Sequence, residues 1–425
     1  MTVFRAGGLS MTTRHRALLS FGWRAVLVTA LLGCVPFFVL SLLDKGGGGI
    51  LYDFHGGLYN AGVAIRHGHN PYQPGFLAHQ AAIMRAGGIA IGETARHVFS
   101  IPVYPAPANV AIIPLSLLPL WLAGAIYTAL SVAAMVLALH LLGVRDWRCP
   151  AIALLSWPFI HGLFLGALGP FLVLGLAVSW RWRSRLWPPA IAVASIVVAK
   201  IFPWPLGVWL LITRRYKALA LAVALALLVT LGAWAVIGWQ GLAQYPQMLA
   251  NLSFIQELRA VSLVAVLIAI GFSPGIASAL ALSAAAGLLG LAWRLSRRPD
   301  GDRVAFSLAI LAALTGTPIV WDHYLVLLFV PIALYSPRLS ALWFVPLGAP
   351  IFTVLSVVVA PGGPHGSNLA AAHDIWLPVV YLALEAIVAA RICFTSSHGR
   401  ELRIRRGKRP AGGPRSAAAS MDPVA

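Results

Sequence analysis

Asp53, in Tyr52-Asp53-Phe54, follows the first long apolar run of a chain that has only 12 acidic residues. An unperturbed aspartate titrates near ~4, so it is an ionised base at neutral pH. Just outside a hydrophobic span, such a base can take a proton from a hydroxyl presented at a membrane surface. The competing role is structural, because Asp is a strong N-cap and a helix is expected to start near Phe54. Lys200 stands by itself among ionisable residues in the apolar stretch from Leu186 to Thr213. It either snorkels to an interface or clamps negative charge that develops as a bond breaks. Asp322 and His323 open a later apolar run. They either anchor a helix end, or His323 supplies a hydrogen bond or positive charge to a departing anion. Asp322 could then fix the imidazole tautomer, although neighbours on a helix point apart. A base, an ammonium and an imidazole suit transfer of a group to a hydroxyl with an anionic leaving group. They must first be brought together.

What must bring them together is a membrane-embedded bundle. Of the 425 residues, 60% are hydrophobic and 10% charged, against about 25% charged in soluble domains. The run Ala25 to Leu43 carries no charge and nearly spans a hydrocarbon core of about 30 Å. It is too long for a signal peptide and lacks an Ala-x-Ala site, so an uncleaved anchor is expected. Leu31-Leu32-Gly33-Cys34 only faintly resembles a lipoprotein box. Further apolar segments lie near 120–143, 186–212 (two pieces bent at Pro203 and Pro205), 218–238, 275–294, 304–319, 323–336, 340–360 and 375–394. The stretch 151–180 reads either as a hairpin of short helices around Gly166 to Pro170, with a cavity near Gly169, or as a fully spanning pair. The expected fold is therefore all-α and polytopic, with about 10–12 transmembrane helices.

The net charge of +19 does not point to nucleic acid, because most Lys and Arg cluster between apolar runs. Examples are Arg181/Arg183/Arg185, Arg214/Arg215/Lys217 and Arg294/Arg297/Arg298/Arg303. The positive-inside rule places those loops and both termini in the cytoplasm. Lys45, Arg66, Arg85, Arg96, Lys200 and Arg259 fall toward the opposite face. Residues 1–20 and 395–425 read as cytoplasmic tails, the second basic, disordered and held near anionic lipid. Residues 21–394 read as the membrane domain, with outer loops at about 44–109 and 239–260. In the first loop Phe54, Leu58, Ala61 and Ile65 recur at helical spacing, with Gly68 as a stop. This outer-face amphipathic helix is expected on the membrane surface.

Other features read as structural. Cys34, Cys149 and Cys393 have no metal or disulfide spacing. Gly46 to Gly49 is a hinge, since no Gly-Lys-Ser/Thr follows, and no Asp-x-Asp metal pair occurs. Glu257 and Arg259 would pair across a loop, and Glu385 would bond to a neighbouring helix. No metal and no cofactor is expected.

Four segments in order resemble glycosyltransferase family 87. The first is Tyr52-Asp53-Phe54 with Tyr59-Asn60-Ala61-Gly62 and Gly68-His69-Asn70-Pro71-Tyr72. The others are Val103-Tyr104-Pro105-Ala106-Pro107, Ala199-Lys200-Ile201-Phe202-Pro203, and Thr317-Pro318-Ile319-Val320-Trp321-Asp322-His323-Tyr324. Three positions depart from the family pattern: Ala106 replaces a second proline, Gly166 to Gly169 replaces a frequent Asn-Gly-Gln, and Tyr324 replaces a second histidine.

The resemblance implies a GT-C fold, an outer-face active site and a polyprenyl-phosphate sugar donor, with mannose the expected sugar. The acceptor would be a glycolipid or cell-wall glycan hydroxyl, activated by Asp53 in an inverting transfer. Lys200 and His323 would stabilise the departing phosphate, and Tyr59, Asn70, Tyr72, Tyr104 and Asp322 would contact sugar or lipid. The expected location is the cell membrane, and the expected partners are donor, acceptor and membrane lipid. A secondary transporter or flippase also uses broken helices and isolated charges. A GT-C glycan ligase or polymerase would use a lipid diphosphate. Sugar incorporated into an acceptor, rather than uptake into vesicles, distinguishes the enzyme.

Overall fold

The computed structural model describes residues 50–72, 104–243 and 260–347, with parts of helical stretches within 24–39, 245–249 and 383–392. Glu257, Arg259, Gly46 to Gly49, Cys393 and both tails lie outside the described residues.

The architecture is all-helical. A first helical segment comprises α1 (Tyr52–Phe54), a π-helical stretch His55–Tyr59 and α2 (Asn60–Arg66). After it come α3 (Ala106–Ala111), α4 (Ile113–Ser116) and α5 (Leu120–Leu141). The middle of the chain forms α6 (Arg148–Leu155), α7 (Trp157–Leu165), α8 (Gly169–Arg181), α9 (Trp187–Ala199), α10 (Pro205–Ile212) and α11 (Tyr216–Ile237). The last part holds α12 (Leu263–Ala269), α13 (Pro274–Leu295) and α14 (Gly301–Thr315). A 3₁₀ stretch Asp322–Leu328 leads into α15 (Phe329–Tyr335), and a second 3₁₀ stretch covers Ala341–Leu347.

Proline marks the starts. It occupies the first or second position of α3, α7, α8, α9, α10 and α13, where its missing N–H costs nothing and its fixed φ suits a helix. Gly166 (φ 69) ends α7, Gly143 (φ 89) follows α5, and Gly68 (φ 76) follows α2 as expected. These left-handed positions suit a residue without Cβ.

Among the described residues α5, α11 and α13 are long and apolar enough to cross a membrane. A fourth span forms if α6 and α7, bent by 56° at their junction, are counted as one. The bend falls at Ser156, whose extended backbone separates the two helices. Thus the stretch 151–180 is a broken helix on one side of Gly166 and the shorter α8 on the other. The expected break of 186–212 is present between α9 and α10. A Cβ on Gly169 would lie 3.0 Å from Val326 Cγ1 and 3.5 Å from the His323 carbonyl. The small residue admits the 3₁₀ stretch Asp322–Leu328 at close range.

Helix α14 is the axis of the core: from Val304 to Thr315 every residue is buried. Its Thr315 donates to Glu385 (3.2 Å), fulfilling the expected bond between that carboxyl group and a neighbouring helix. By contrast, α11 and α13 expose Leu227, Leu228, Val236, Ile276, Leu282 and Trp293, the apolar exterior of a multi-pass membrane protein. The amphipathic segment 52–66 departs from its expected place on lipid. Phe54, Leu58 and Ala61 are buried, with Phe54 against Tyr127 of α5 (ring centroids 4.4 Å). Protein aromatics and small residues, including Ala123 and Ala108, cover the face that periodicity alone would assign to lipid.

Candidate active site

The Asp53 segment is clamped onto the α7–α8 turn. Leu51 adopts a left-handed conformation (φ 60) and its N–H donates to the Phe164 carbonyl at 2.7 Å. A Cβ on Gly166 would meet Phe54 Cβ at 2.7 Å, so only glycine permits this approach. Asp53 is not the N-cap. That position belongs to Leu51, and no side chain caps the helix. Asp53 sits inside the first turn, half-buried, and its Oδ2 accepts a hydrogen bond from the Tyr104 hydroxyl at 3.1 Å. The structural alternative for Asp53 therefore fails for a geometric reason: the chain turns into helix two residues earlier than the cap reading required. The following π-helical stretch widens the turn over Gly56 and Gly57, which are buried.

Tyr104 joins the two ends of the sequence signature. Its side chain is fully buried, and burial together with nearby Asp53 holds its phenol well above the ordinary range. The hydroxyl therefore stays protonated and acts as a donor. Lys200 Nζ lies 4.4 Å from the centre of the same ring, a cation–π distance, and donates to the Tyr324 hydroxyl at 2.5 Å. Lys200 reaches this place because α9 ends there. Its backbone is extended (φ −147, ψ 123), and Pro203 and Pro205 prevent the helix from continuing into α10. Phe202 stacks on Tyr324 with centroids 5.1 Å apart, which fixes the phenol.

His323 is buried, with 2% exposure, and neither ring nitrogen has a hydrogen-bond partner among the described residues. It is packed edge-on to Tyr324 (4.6 Å) and to His161 (5.9 Å). Gly162 makes room, since a Cβ there would lie 3.3 Å from His323 Cβ. Asp53 and Lys200 are both near enough for their charges to act on this ring. Asp322 serves another imidazole more directly. Its Oδ1 accepts from His161 Nδ1 at 2.7 Å and from the His323 backbone N–H at 2.8 Å. Its Oδ2 accepts from Trp157 Nε1 at 2.5 Å. The separation of Asp322 Oδ1 from His323 Nδ1 is 3.8 Å.

The remaining expected contacts are occupied in holding this arrangement. Tyr72 is fully buried; its hydroxyl donates to the Tyr104 carbonyl and accepts from Asn109 Nδ2, both at 2.6 Å. Asn70 Oδ1 accepts from the Tyr72 N–H at 2.8 Å. Its amide donates to the carbonyls of Gly238 (3.1 Å) and Gln240 (2.7 Å), tying the first loop to the end of α11. Tyr59 donates to the Leu118 carbonyl at 2.8 Å. The structure thus brings together Asp53, Tyr104, Lys200, Asp322 and His323, and leaves Tyr59, Asn70 and Tyr72 as supports around them.

Sequence reasoning missed His161, Trp157 and Asn109. His161 and Trp157 are four residues apart on α7 and stack with centroids 5.2 Å apart. The signal was available: His161 is an isolated titratable residue in an apolar stretch, the same criterion that singled out Lys200. His161, Asp322 and His323 each offer one ligand atom, all within 4.8 Å of one another, a grouping that could take a metal ion. In this arrangement the Asp322 carboxylate accepts from three N–H donors, and His161 is turned toward it as one of them.

A model of glycosyltransferase family 87 matches residues 103–320, just over half of the chain. The match includes Tyr104, His161 and Lys200, while Asp53 and the Asp322–Tyr324 segment flank it. No curated protein and no solved structure matches the chain. With its apolar helices and this match, the chain belongs to glycosyltransferase family 87 and is a multi-pass membrane protein.

Proposed function

We propose that the protein is an inverting transferase that moves a mannosyl group from a polyprenyl phosphate to a hydroxyl of a glycolipid or cell-wall glycan at the outer membrane face. The Asp53 carboxylate accepts the acceptor's proton as its oxygen attacks the anomeric carbon. The new C–O bond forms while the bond to the phosphate oxygen breaks, and that electron pair leaves on the lipid phosphate. Lys200 balances this charge, and the imidazole of His323 donates a hydrogen bond to the departing phosphate. Asp322 orients His161 through its Nδ1. Tyr104 keeps Asp53 oriented.

The observation that carries this reading is the sharing of one phenol. Asp53 accepts from the Tyr104 hydroxyl while Lys200 lies over the Tyr104 ring. A base and a cation one side chain apart can serve the attacking and departing oxygens of a single displacement. The test is incubation of purified protein with radiolabelled polyprenyl-phosphate-mannose and candidate acceptor lipids. Wild type should yield labelled acceptor, and Asp53→Asn should lower turnover by about 10²–10⁴-fold. Near-normal turnover in Asp53→Asn would reject the base; labelling from another donor sugar would redirect the specificity.

A further inference from the structure

At the far end of α10 from Lys200, two cavities adjoin. One of about 420 Å³ is lined by Arg214, Arg215, Arg297, Thr213, Ser296 and Asp302, with Ile212 and Trp293. The other, about 450 Å³, is lined by Val208, Leu211 and Leu289 and shares Ile212, Arg214 and Trp293 with the first. We infer that this pair is a binding site for an anionic glycerophospholipid, with the phosphate headgroup in the first cavity and an acyl chain along the second.

Charge accounting favours an anion. Asp302 is bound through both oxygens by Arg215 (2.8 and 2.7 Å), and also by Arg183 (3.0 Å) and the Trp209 indole (2.9 Å). Its charge is therefore compensated from within the protein. Arg214 and Arg297 have no carboxylate partner among the described residues. Arg297 instead lies over the Trp293 ring at 5.1 Å, an orientation that leaves its N–H groups open to a phosphate. Arg214 is held at φ 59, a left-handed position where an arginine is disfavoured and glycine would be at ease. The position is the capped end of α10, where the Arg215 N–H donates to the Leu210 carbonyl at 2.8 Å and the Arg214 N–H to the Leu211 carbonyl at 3.0 Å, and it turns the Arg214 side chain out of the helix.

The headgroup class follows from two hydroxyls. Thr213 donates to the Trp209 carbonyl and Ser296 to the Trp293 carbonyl, each at 2.7 Å. Their oxygens are left as acceptors, which suits a headgroup bearing hydroxyls beyond its phosphate, such as phosphatidylglycerol. The choice of a lipid over a soluble anion rests on the second cavity. Leu211 and Trp293 on its wall are 49% and 57% exposed on the apolar exterior of the bundle, so the chamber opens sideways toward hydrocarbon.

The experiment measures retention of phosphatidylglycerol and phosphatidylcholine by the purified full-length protein, using native mass spectrometry. Phosphatidylglycerol should be preferred by about tenfold. Arg214→Gly with Arg297→Gln should abolish the preference, whereas Arg145→Gln, an exposed arginine outside the cavity, should keep it. Arg214→Gly also relieves the backbone, so a raised melting temperature in that variant certifies its folding. Equal retention of both lipids, or a preference untouched by the double substitution, overturns the proposal. Loss of preference in Arg145→Gln would reduce it to diffuse charge. Displacement of the lipid by an equal concentration of inorganic phosphate would reassign the cavity to a soluble anion.

Discussion

Asp53 and Asp302 are carboxylates at opposite ends of the helical bundle, and their partners differ in kind. Asp302 meets two guanidinium groups and an indole; Asp53 meets one neutral phenol among the described residues. A carboxylate saturated by arginines has little remaining basicity to offer and fastens α8, α10 and α14 together. A carboxylate held by a single neutral donor stays oriented and keeps lone pairs for an incoming proton. Asp322 lies between these cases, accepting from an indole, an imidazole and a backbone N–H. The environment, not the residue type, separates a fastener such as Asp302 from the carboxylate proposed as the base.

The sharpest way to break this comparison is to make the same substitution at both ends. Asp53→Asn should remove about 10²–10⁴-fold of turnover with an unchanged melting temperature. Asp302→Asn should do the reverse, costing about 2 kcal/mol of stability while turnover per folded molecule persists. Equal losses of turnover in both variants would erase the distinction. Next in size, Lys200→Gln should depress turnover by about 10²-fold, with the loss concentrated in the dependence on donor rather than acceptor. Unchanged donor dependence would remove Lys200 from the phosphate.

A smaller effect is expected at the residue that sequence reasoning passed over. His161→Ala should slow transfer by about tenfold, and Asp322→Asn should reproduce that loss without adding to it in the double variant, since the carboxylate acts through the imidazole. Wild-type kinetics in His161→Ala would leave Asp322 as a purely structural anchor. The smallest effect belongs to another fastener. Asp146 is held down to about 2 by hydrogen bonds from Arg148, supported by the Leu339 N–H. Its folded pKa lies below the ordinary 3.8, so its stabilisation is complete above that value and fades as pH falls toward about 2. Asp146→Asn should flatten that limb of a pH–stability curve without altering transfer near neutral pH.

Where sequence signals were local, they carried over well. Proline and glycine marked the breaks at 166–170 and 203–205 and the stop at Gly68, and the isolated charge of Lys200 in an apolar run marked a residue that the fold brings against the Tyr104 ring. The amphipathic period of 52–66 marked a buried face but could not say what buries it. A helix against lipid and a helix against Tyr127 share one pattern, because hydrocarbon and a protein interior select the same residues. The cap assignment of Asp53 failed for a related reason. Local propensity favours Asp at a helix start, yet the contact of Leu51 with Phe164, made possible by Gly166, moved the start upstream.

The chain's composition and ordered motifs determined a polytopic membrane protein, its family, and the short list of groups able to do chemistry. These depend on residue type and spacing alone. The tertiary structure decided which groups share a site: Tyr104 joined Asp53 to Lys200, and Asp322 turned from its neighbour His323 to His161. It did so because a hydrogen bond or cation–π contact requires a few ångströms and a direction, and helices distant in sequence acquire both only when they pack.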